Sequence, residues 1–299
     1  MTDLAIQTQD LAKSYGSLGA VDGLSLHVPR GSIYGFLGRN GAGKTTTIRM
    51  FAGLARPTGG SVQIFGLDPQ RDRIAILERT GFVIDKLLIS SMTGNDLVRF
   101  NRAFFPRWSD ELAKKYADVL EIPMKQKFIK LSHGSKTKLC LLLALAQGAD
   151  LLVLDEPTAG LDPVVTDQLL RLIVDDFAND GRTAFLSSHH LSEVERVADW
   201  VGIIDHGKLL LEAQLDDIRT NYRRLRVVGS ELPTQSPEIL KVRRSEGMFE
   251  YVLRANADAF TARLRNEGAS VLDVSPMNLS EIFLELVGKE SHVPVEVLA

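Results

Sequence analysis

Short apolar segments separated by turns fill the first part of the chain and predict strands. Residues 5–8 predict a short strand, and residues 24–28 alternate apolar and polar side chains, which is typical of a half-buried strand. Residues 33–37 are almost uniformly apolar and follow a turn, so we expect a buried strand there. A second turn, at residues 57–60, precedes another predicted strand at 61–66.

The middle of the chain has the apolar spacing of helices. From about residue 88 to residue 130, large apolar side chains recur every three or four positions, and we interpret most of them as core. Residues 106–110 interrupt this pattern. Either Ser109 or Asp110 is a plausible N-cap for the helix that follows the interruption.

From residue 151 the pattern becomes strand, helix, strand. Residues 151–154 are apolar throughout, 164–179 predict a helix, and 183–187 form a second apolar segment. Consecutive apolar strands of this kind indicate a parallel sheet that is covered on both faces. This part of the chain is predicted to end with a helix at 191–199 and strands near 201–204 and 208–211.

After about residue 220 the pattern indicates a smaller α+β unit. Its predicted elements are strands at 225–228, 249–253 and 270–274 and a helix at 256–267 that ends at Gly268. We therefore predict three parts in the chain. They are a large α/β domain over 1–220 with a helical subdomain at about 86–148, an accessory domain over 221–288, and a tail at 289–299.

The amino-acid composition excludes some classes of protein but does not by itself indicate a function. The 299 residues are 44% hydrophobic and 24% charged, as in an ordinary globular protein, and the net charge of −3 gives no general attraction to nucleic acid or anionic membranes. The single cysteine, Cys140, excludes an internal disulfide and fits a reducing compartment. We expect neither a secretory signal at the N-terminus nor a membrane span, because the most apolar segment is too short to cross a bilayer.

The first chemical signal is a phosphate-binding loop. Residues 38–45 match G-x-x-x-x-G-K-[ST] between a predicted strand and a predicted helix. Glycines let successive N–H groups face a phosphate, and the helix adds the positive end of its dipole. Lys44 would reach the β- and γ-phosphates, and Thr45 would sit on Mg²⁺. The candidate nucleotide-binding residues here are Gly38, Arg39, Asn40, Gly41, Ala42, Gly43, Lys44, Thr45 and Thr46.

The second signal is a pair of carboxylates at a strand end. Asp155 and Glu156 follow the apolar residues 151–154, and ligands bind at the carboxyl ends of strands in open α/β sheets. In a P-loop enzyme Asp155 helps to hold Mg²⁺ through its water shell, and Glu156 acts as the general base for an attacking water. The alternative is an ordinary exposed strand end, which the upstream P-loop disfavours.

Together with five further segments, these signals resemble the nucleotide-binding subunit of an ATP-binding-cassette (ABC) transporter. The resemblance covers roughly residues 4–215 and is closest to bacterial single-cassette exporters of the drug and antibiotic-resistance kind, including the YtrB-like group. It implies an α/β fold of the P-loop NTPase class, with an antiparallel β subdomain, a parallel-sheet core and a helical subdomain, and similar proteins carry a fused α+β tail. The five segments are Tyr15-Gly16, residues 81–85, the signature-like Leu131-Ser132-His133-Gly134-Ser135, residues 155–163 and Ser187-Ser188-His189.

The resemblance also implies roles for individual residues. Tyr15 would stack on adenine, although a strand-end core tyrosine is the alternative. Ser132, His133 and Gly134 would meet the γ-phosphate of the ATP held by the other subunit of a dimer. Asp162 would act across the same dimer interface.

Two further residues, His189 and Asp85, would lie near the γ-phosphate. His189 would contact the γ-phosphate and the region of the attacking water, with its neighbour His190 as the competing candidate. Asp85 stands where the family has glutamine. Asp85 retains an oxygen for Mg²⁺ or water but brings a negative charge near the γ-phosphate, and it is alternatively only a turn residue.

The sequence departs from the family pattern a second time, in the signature-like segment 131–135. His133 replaces the usual first glycine and Ser135 replaces glutamine. A bulky side chain therefore stands where the family has none. Because Ser132 and Gly134 are retained, we expect the contact with the partner's ATP to survive.

These inferences predict an ATPase that uses ATP and Mg²⁺, dimerises head to tail, and drives transport through a separate integral membrane permease. The second nucleotide-binding subunit is either another copy or a paralogue, and export is favoured over import. The chain would be cytoplasmic and held at the inner face of the cell membrane by that permease. The alternatives are a soluble ABC ATPase acting on nucleic acid or ribosomes, and a small-molecule kinase. The single cassette and the absence of a basic composition favour transport, with no nucleic-acid partner.

Overall fold

The computed structural model divides into two compact units, Met1–Glu212 and Ala213–Ala299. No helix in the described part of the chain is long and apolar enough to cross a membrane. The structure describes residues 3–84, 91–176, 180–229, 232–245, 247–254 and 257–288.

The first unit contains strands and helices in alternation after an all-β beginning. Its strands are β1 (Leu4–Tyr15), β2 (Leu18–Leu24), β3 (His27–Pro29), β4 (Ile33–Leu37), β5 (Gly59–Ile64), β6 (Thr80–Val83), β7 (Leu151–Asp155), β8 (Thr183–Ser188), β9 (Trp200–Asp205) and β10 (Lys208–Gln214). Its helices are α1 (Lys44–Phe51), α2 (Arg73–Leu77), α3 (Gly94–Arg102), α4 (Asp110–Val119), α5 (His133–Ala146), α6 (Pro163–Asp176) and α7 (Leu191–Glu195).

An antiparallel sheet is built on β1, which pairs with β2, β3 and β5. The predicted strand at 24–28 is wrong as a single element, because Leu24 ends β2 and residues 25–26 interrupt the ladder before β3, while both strands pair antiparallel with β1. The Thr8 hydroxyl explains the break. It donates to the Leu24 carbonyl and accepts from the Leu26 N–H, both at 2.8 Å, so a side chain of β1 replaces ladder hydrogen bonds at this corner.

The second sheet has the order β10-β9-β4-β8-β7-β6, and the pairs from β9 to β6 are parallel. All residues of β4, β7 and β8 are buried, which is why these segments are apolar without alternation. In this sheet Leu37 is in register with Ser188, and Asp155 is in register with Ser187. The carboxyl ends of three strands therefore meet at one edge of the sheet.

The core of this unit lies around α1 and between the two sheets. Phe185 of β8 is central, with ring centroids 5.4 Å from Tyr34, 5.3 Å from Phe36 and 5.4 Å from Phe51. Phe51 meets Phe185 edge to face, a favoured geometry for aromatic pairs. These contacts fix α1, and with it the preceding loop, against the strand ends.

The helical region follows the sequence prediction at its main break. Ser109 caps α4, because its hydroxyl accepts from the Leu112 N–H, so Ser109 rather than Asp110 is the N-cap. Helix α5 begins with a polar, partly exposed segment at 133–138, and its second half, from Leu139, is apolar and almost entirely buried, as expected for a helix that enters the protein core. Burial raises the pKa of the Cys140 thiol to about 11, so this side chain stays protonated at neutral pH and serves packing.

Asp150 fastens the helical region to the parallel sheet. Its carboxylate pairs with Arg79 at 2.8 Å and with Arg107 at 2.7 Å. Burial opposes ionisation of Asp150, but the hydrogen bonds from Arg107 and Arg79 outweigh it and lower its pKa. Asp150 therefore links Arg107, which lies between α3 and α4, to Arg79, which immediately precedes β6.

The second unit is α+β, and its elements only partly match the prediction. Its antiparallel sheet has the order β12-β13-β11-β14. The sequence pattern missed α8, β12 and α10, and in the first unit the helix predicted over 191–199 ends at Glu195. The elements are α8 (Leu215–Asn221), β11 (Tyr222–Val228), β12 (Ile239–Ser245), β13 (Met248–Arg254), α9 (Ala257–Asn266), β14 (Ser270–Pro276) and α10 (Leu279–Val287).

Strand β12 is an edge strand whose basic side chains hide its pattern from sequence reasoning. Arg243 pairs with the buried Glu285 of α10 at 2.6 Å, and Lys241 and Arg224 approach the same carboxylate at 3.4 Å. Burial raises the pKa of Glu285, but the bonds from Arg243 and Lys241 outweigh burial, so its pKa is lowered. This ionic cluster holds α10 on the sheet.

Replacing Glu285 by glutamine should loosen α10. The change removes the anion on α10 that Arg243 and Lys241 share, although Arg243 keeps Glu250 at 3.0 Å, and should lower the stability of this unit by about 1–3 kcal/mol. A carboxyl with a lowered folded-state pKa stabilises above its unfolded pKa and loses that effect as pH falls through the folded value. Hydrogen exchange of α10 should therefore accelerate at pH 7 but approach wild type in acid, whereas the exposed control Glu267→Gln should change neither.

Candidate nucleotide-binding and hydrolysis site

The predicted phosphate loop lies between β4 and α1, as the sequence indicates. Gly43 caps α1 with φ 112°, and a Cβ there would lie 2.5 Å from the carbonyl oxygen of Ala20 in β2, so only glycine fits. Among the described residues, no backbone carbonyl accepts a hydrogen bond from the N–H groups of Lys44, Thr45 or Thr46. Unpaired N–H groups at a helix start form a natural site for a phosphate.

The rest of the loop is fixed at one point and open elsewhere. The Ala42 N–H donates to the Arg39 carbonyl at 3.1 Å, and the Ala42 carbonyl accepts from the Gly207 N–H at 2.9 Å. Gly38 is buried at the end of β4, whereas Arg39, Asn40 and Gly41 are exposed. The loop is thus anchored to the turn between β9 and β10 and presents its middle to solvent.

Lys44 is buried, with 6% of its side chain exposed, and is held by three oxygens. Its ammonium donates to the Gly38 carbonyl at 2.6 Å and to the Arg39 carbonyl at 3.3 Å. It also lies 3.0 Å from Oε1 of Glu156, an ion pair without the angles of a hydrogen bond. The loop lysine and the predicted base are therefore in direct contact.

Glu156 is shaped by its position immediately after β7. Its φ of 49° is unusual for a residue with a Cβ, and its N–H is held by the Ser187 hydroxyl at 3.0 Å. The carboxylate lies between two basic side chains, because Oε2 is 2.7 Å from Nδ1 of His189. An otherwise disfavoured backbone conformation thus aims Glu156 at both Lys44 and His189.

Of the two histidines after β8, only His189 contacts Glu156 among the described residues. The His190 ring contacts the His189 ring in a tilted arrangement, with centroids 4.0 Å apart and an interplanar angle of 38°. The backbone N–H of His190 donates to the Ser188 hydroxyl at 2.9 Å. The geometry therefore places His189 with Lys44 and Glu156, in a group of side chains that we call the strand-end cluster. His190 lies at the start of α7.

Ser187 is a candidate functional residue that sequence reasoning did not single out. Its buried hydroxyl donates to Oδ1 of Asp155 at 2.6 Å and accepts from the Glu156 N–H. One side chain thus orients both carboxylates. The only signal for this role is the pairing of β7 with β8, which the sequence does not specify to the residue.

Tyr15 ends β1 and is 47% exposed, with the Lys13 ammonium 4.9 Å from its ring centre. It belongs to the same β-hairpin as Ala20, which contacts the phosphate loop at Gly43. An exposed ring at this hairpin is open to stacking rather than used as core.

The signature-like residues lie on helix starts. Ser132 caps α5 by accepting from the Ser135 N–H at 3.2 Å, and Asp162 caps α6 by accepting from the N–H groups of Val164 and Val165 at 3.0 Å. No hydrogen bond in the described part of the chain joins Ser132 or Gly134 to the phosphate loop of the same chain. His133 turns instead toward the loop that contains Ala159.

Asp85, the residue at the predicted glutamine-loop position, lies outside the described residues. The remaining candidate metal ligands are Thr45, in the first turn of the helix that follows β4, and Asp155, the last residue of β7, and β8 lies between these two strands. The described residues contain no group of three or more histidine, cysteine, aspartate or glutamate side chains that could hold a metal ion.

Comparison with known families agrees with this geometry. The family model described as ABC transporter matches residues 21–159, from β2 to the residues after β7. A second model, described as AAA domain, putative AbiEii toxin, type IV TA system, matches residues 125–195.

Several relatives match over much of the chain. It is 40% identical over 222 residues to the bacitracin transport ATP-binding protein BcrA of Bacillus licheniformis, covering 73% of this chain and 72% of that one. It is 32% identical over 310 residues to the Nod factor export ATP-binding protein I of Paraburkholderia xenovorans (strain LB400), covering 97% and 99%. It is 27% identical over 289 residues to the ABC transporter ATP-binding protein YtrB of Bacillus subtilis (strain 168), covering 95% and 98%.

Solved structures confirm the predicted fold class. The ATP-binding subunit of an ABC transporter superposes with a TM-score of 0.65 at 25% identity, covering 72% of this chain and 92% of that one. A dimeric bacterial ABC transporter cassette gives 0.62 at 22% identity, covering 70% and 98%. The resemblance first drawn from short motifs therefore extends to the tertiary structure.

Replacing Ser187 by alanine should separate catalysis from binding. The change removes the hydroxyl that donates to the buried Asp155 and leaves the Glu156 N–H with only the carbonyl of residue 187, at 3.2 Å. We expect turnover to slow about tenfold or more. ATP affinity should stay within about twofold, because the phosphate loop is untouched. Steady-state kinetics and nucleotide titration measure both effects.

The matched control for this prediction is Ser32→Ala. Ser32 is also buried, but it lies at the opposite end of β4, where its hydroxyl donates to the Pro29 carbonyl. Equal losses of turnover in the two variants would show that Ser187 has only a structural role.

Proposed function

We propose, on the premise that this chain belongs to the ABC transporter family of ATP-binding proteins, that its strand-end cluster is the centre that hydrolyses ATP to drive export. The chain is an ABC-type ATPase that binds ATP and serves transport. The observation that carries the catalytic assignment is the position of Glu156 between Lys44 and His189. Relatives named for bacitracin transport and Nod factor export support the outward direction.

In this proposal the phosphate loop holds the β- and γ-phosphates of ATP. The N–H groups at the start of α1 would donate to phosphate oxygens, and the exposed Tyr15 ring would stack on the adenine. Lys44 would exchange its carbonyl oxygens and Glu156 for phosphate oxygens. Nucleotide binding therefore competes directly with the ion pair between Lys44 and Glu156.

The available side chains fit a Mg²⁺ ion. Thr45 offers a half-buried hydroxyl in the first turn of α1, and Asp155 offers Oδ2, since Oδ1 accepts from Ser187. Oxygen donors of this kind suit Mg²⁺, which keeps several waters and takes phosphate oxygens as ligands. When bound, the ion would neutralise phosphate charge. Asp85 is proposed as a further oxygen near this position.

Glu156 is proposed as the general base. Once Lys44 has turned to the phosphates, Oε1 is free to accept a proton from the water that attacks the γ-phosphorus, and the bond to the ADP oxygen breaks. His189 holds the other carboxylate oxygen and so fixes the direction of the base. It would also contact the γ-phosphate.

The second half of each site would come from another nucleotide-binding subunit. Ser132, His133 and Gly134 lie at the start of α5, whose positive dipole end suits a phosphate. Asp162 lies at the start of α6, where its carboxylate already accepts from the N–H groups of Val164 and Val165. The head-to-tail arrangement would bring these groups of one subunit to the phosphate loop of the other. ATP would then close the dimer, and hydrolysis would open it.

A separate apolar groove is proposed to receive the membrane permease. It has a volume of about 300 Å³, lies between β6 and the helices α3 and α5, and none of the phosphate-loop residues line it. A partner helix with an apolar face fits such a groove. Docking there would hold the chain at the inner face of the cell membrane. Apolar residues lining the groove include Leu54, Leu77, Phe82, Ile84, Phe105 and Leu143.

Replacing Glu156 by glutamine tests the base. The amide retains the shape but cannot take the proton of water, so steady-state hydrolysis should fall at least a hundredfold. ATP affinity should be equal or higher, because the ion pair that competes for Lys44 is lost, and ATP should favour the dimer in size-exclusion chromatography. The exposed control Glu78→Gln should match wild type, and normal turnover in the Glu156 variant would exclude it as the base.

Replacing Leu54 by glutamate tests the groove. A charge in an apolar groove should weaken co-purification with the permease by about tenfold or more. ATP affinity of the isolated subunit should remain within about twofold. Leu284→Glu, at an exposed position on α10, is the matched control. Retained permease binding would place the docking site elsewhere, and co-purification with nucleic acid instead would favour the soluble ATPase alternative.

A further inference from the structure

The unusual histidine of the signature touches the loop that follows Glu156. Nε2 of His133 lies 3.2 Å from the carbonyl oxygen of Ala159. Because a carbonyl only accepts, Nε2 must carry the proton and donate. The ring also packs on Gly160, where φ is 74° and a Cβ would lie 3.2 Å from Cδ2 of His133. Both the donor and the ring of His133 are thus fitted to this loop.

This loop is a short, internally bonded turn that leads back to Glu156. The Ala159 N–H donates to the Glu156 carbonyl at 3.1 Å, and the Leu161 N–H donates to the Thr158 carbonyl at 3.1 Å. The Thr158 hydroxyl in turn donates to Glu193 of α7 at 2.6 Å. A single residue, Ala159, therefore links the His133 contact, at its carbonyl, to the backbone of the proposed base, at its N–H.

We propose that His133 is a positioning residue that couples the two ATP sites of the dimer. The inference rests on the proposed function, in which Ser132 and Gly134 meet the partner's ATP while Glu156 acts on the ATP of its own subunit. A shift of α5 on meeting that phosphate would pull Ala159 through His133 and so move Glu156. A glycine at position 133 offers no side chain for this link.

Two substitutions distinguish the hydrogen bond of His133 from the bulk of its ring. His133→Phe keeps a ring against Gly160 but has no donor, whereas His133→Gln has a donor and no ring. Loss of the bond should lower kcat about fivefold, the rate equivalent of one typical hydrogen bond. Binding of ATP to the phosphate loop of the same subunit should stay within about twofold, because no hydrogen bond of the described residues joins His133 to that loop.

The decisive measurement is the ATP dependence of steady-state hydrolysis by the full-length chain. Two coupled sites allow a Hill coefficient up to about 2, so wild type should exceed 1 clearly. His133→Phe should have a coefficient near 1 and the lower kcat, and His133→Gln should recover most of the cooperativity and of the kcat that His133→Phe loses. His206→Gln, a change in a side chain that is 88% exposed, controls for loss of a surface histidine.

Three results would overturn the coupling role: a non-cooperative wild type, a His133→Phe variant with wild-type cooperativity and kcat, or a His133→Gln variant as impaired as His133→Phe. Circular dichroism of each variant excludes misfolding as the cause. Glu156→Gln measured in parallel separates this test from the proposed function. Loss of turnover there with no effect at His133 refutes only the coupling, whereas normal turnover there refutes the catalytic assignment itself.

Discussion

The register of three parallel strands is the constraint on which the candidate site depends. Strand β8 lies between β4 and β7, and its pairing sets Ser187 beside Asp155 and Ser188 beside Leu37. A shift of one residue would turn Ser187 to the other face of the sheet and leave both carboxylates unsupported. The apolar packing around Phe185 holds this register, so the chemistry of the strand ends relies on a core contact farther along β8.

Electrostatic contacts between Lys44 and Glu156 fix the arrangement of the candidate site before a nucleotide binds. Lys44 and Glu156 are both poorly exposed and lie 3.0 Å apart, where charges interact more strongly than in bulk water. Each of them has a second partner, the Gly38 carbonyl for Lys44 and His189 for Glu156. An incoming triphosphate competes for the lysine and leaves the carboxylate with the histidine. Nucleotide binding and the release of Glu156 from Lys44 would therefore occur in one exchange of partners.

The two helix starts that are proposed to serve the other subunit are already ordered in the single chain. Ser132 and Asp162 cap α5 and α6 with their own side chains, so the N–H groups behind them are held in helical geometry. His133 joins the two starts through Ala159. A departure from the family pattern, which looks like a defect of the signature in sequence, becomes an additional contact in the structure.

The sequence alone determined the fold class and most of the candidate residues, because the phosphate loop, the strand-end carboxylates and the signature are local patterns with fixed spacing. Local patterns did not reveal β12, since its alternation is hidden by Lys241 and Arg243, whose partners are distant in sequence. They also left open whether His189 or His190 faces the site, and they gave no role to Ser187. Those points depend on strand pairing and on side chains more than thirty residues apart, which only the tertiary structure brings together.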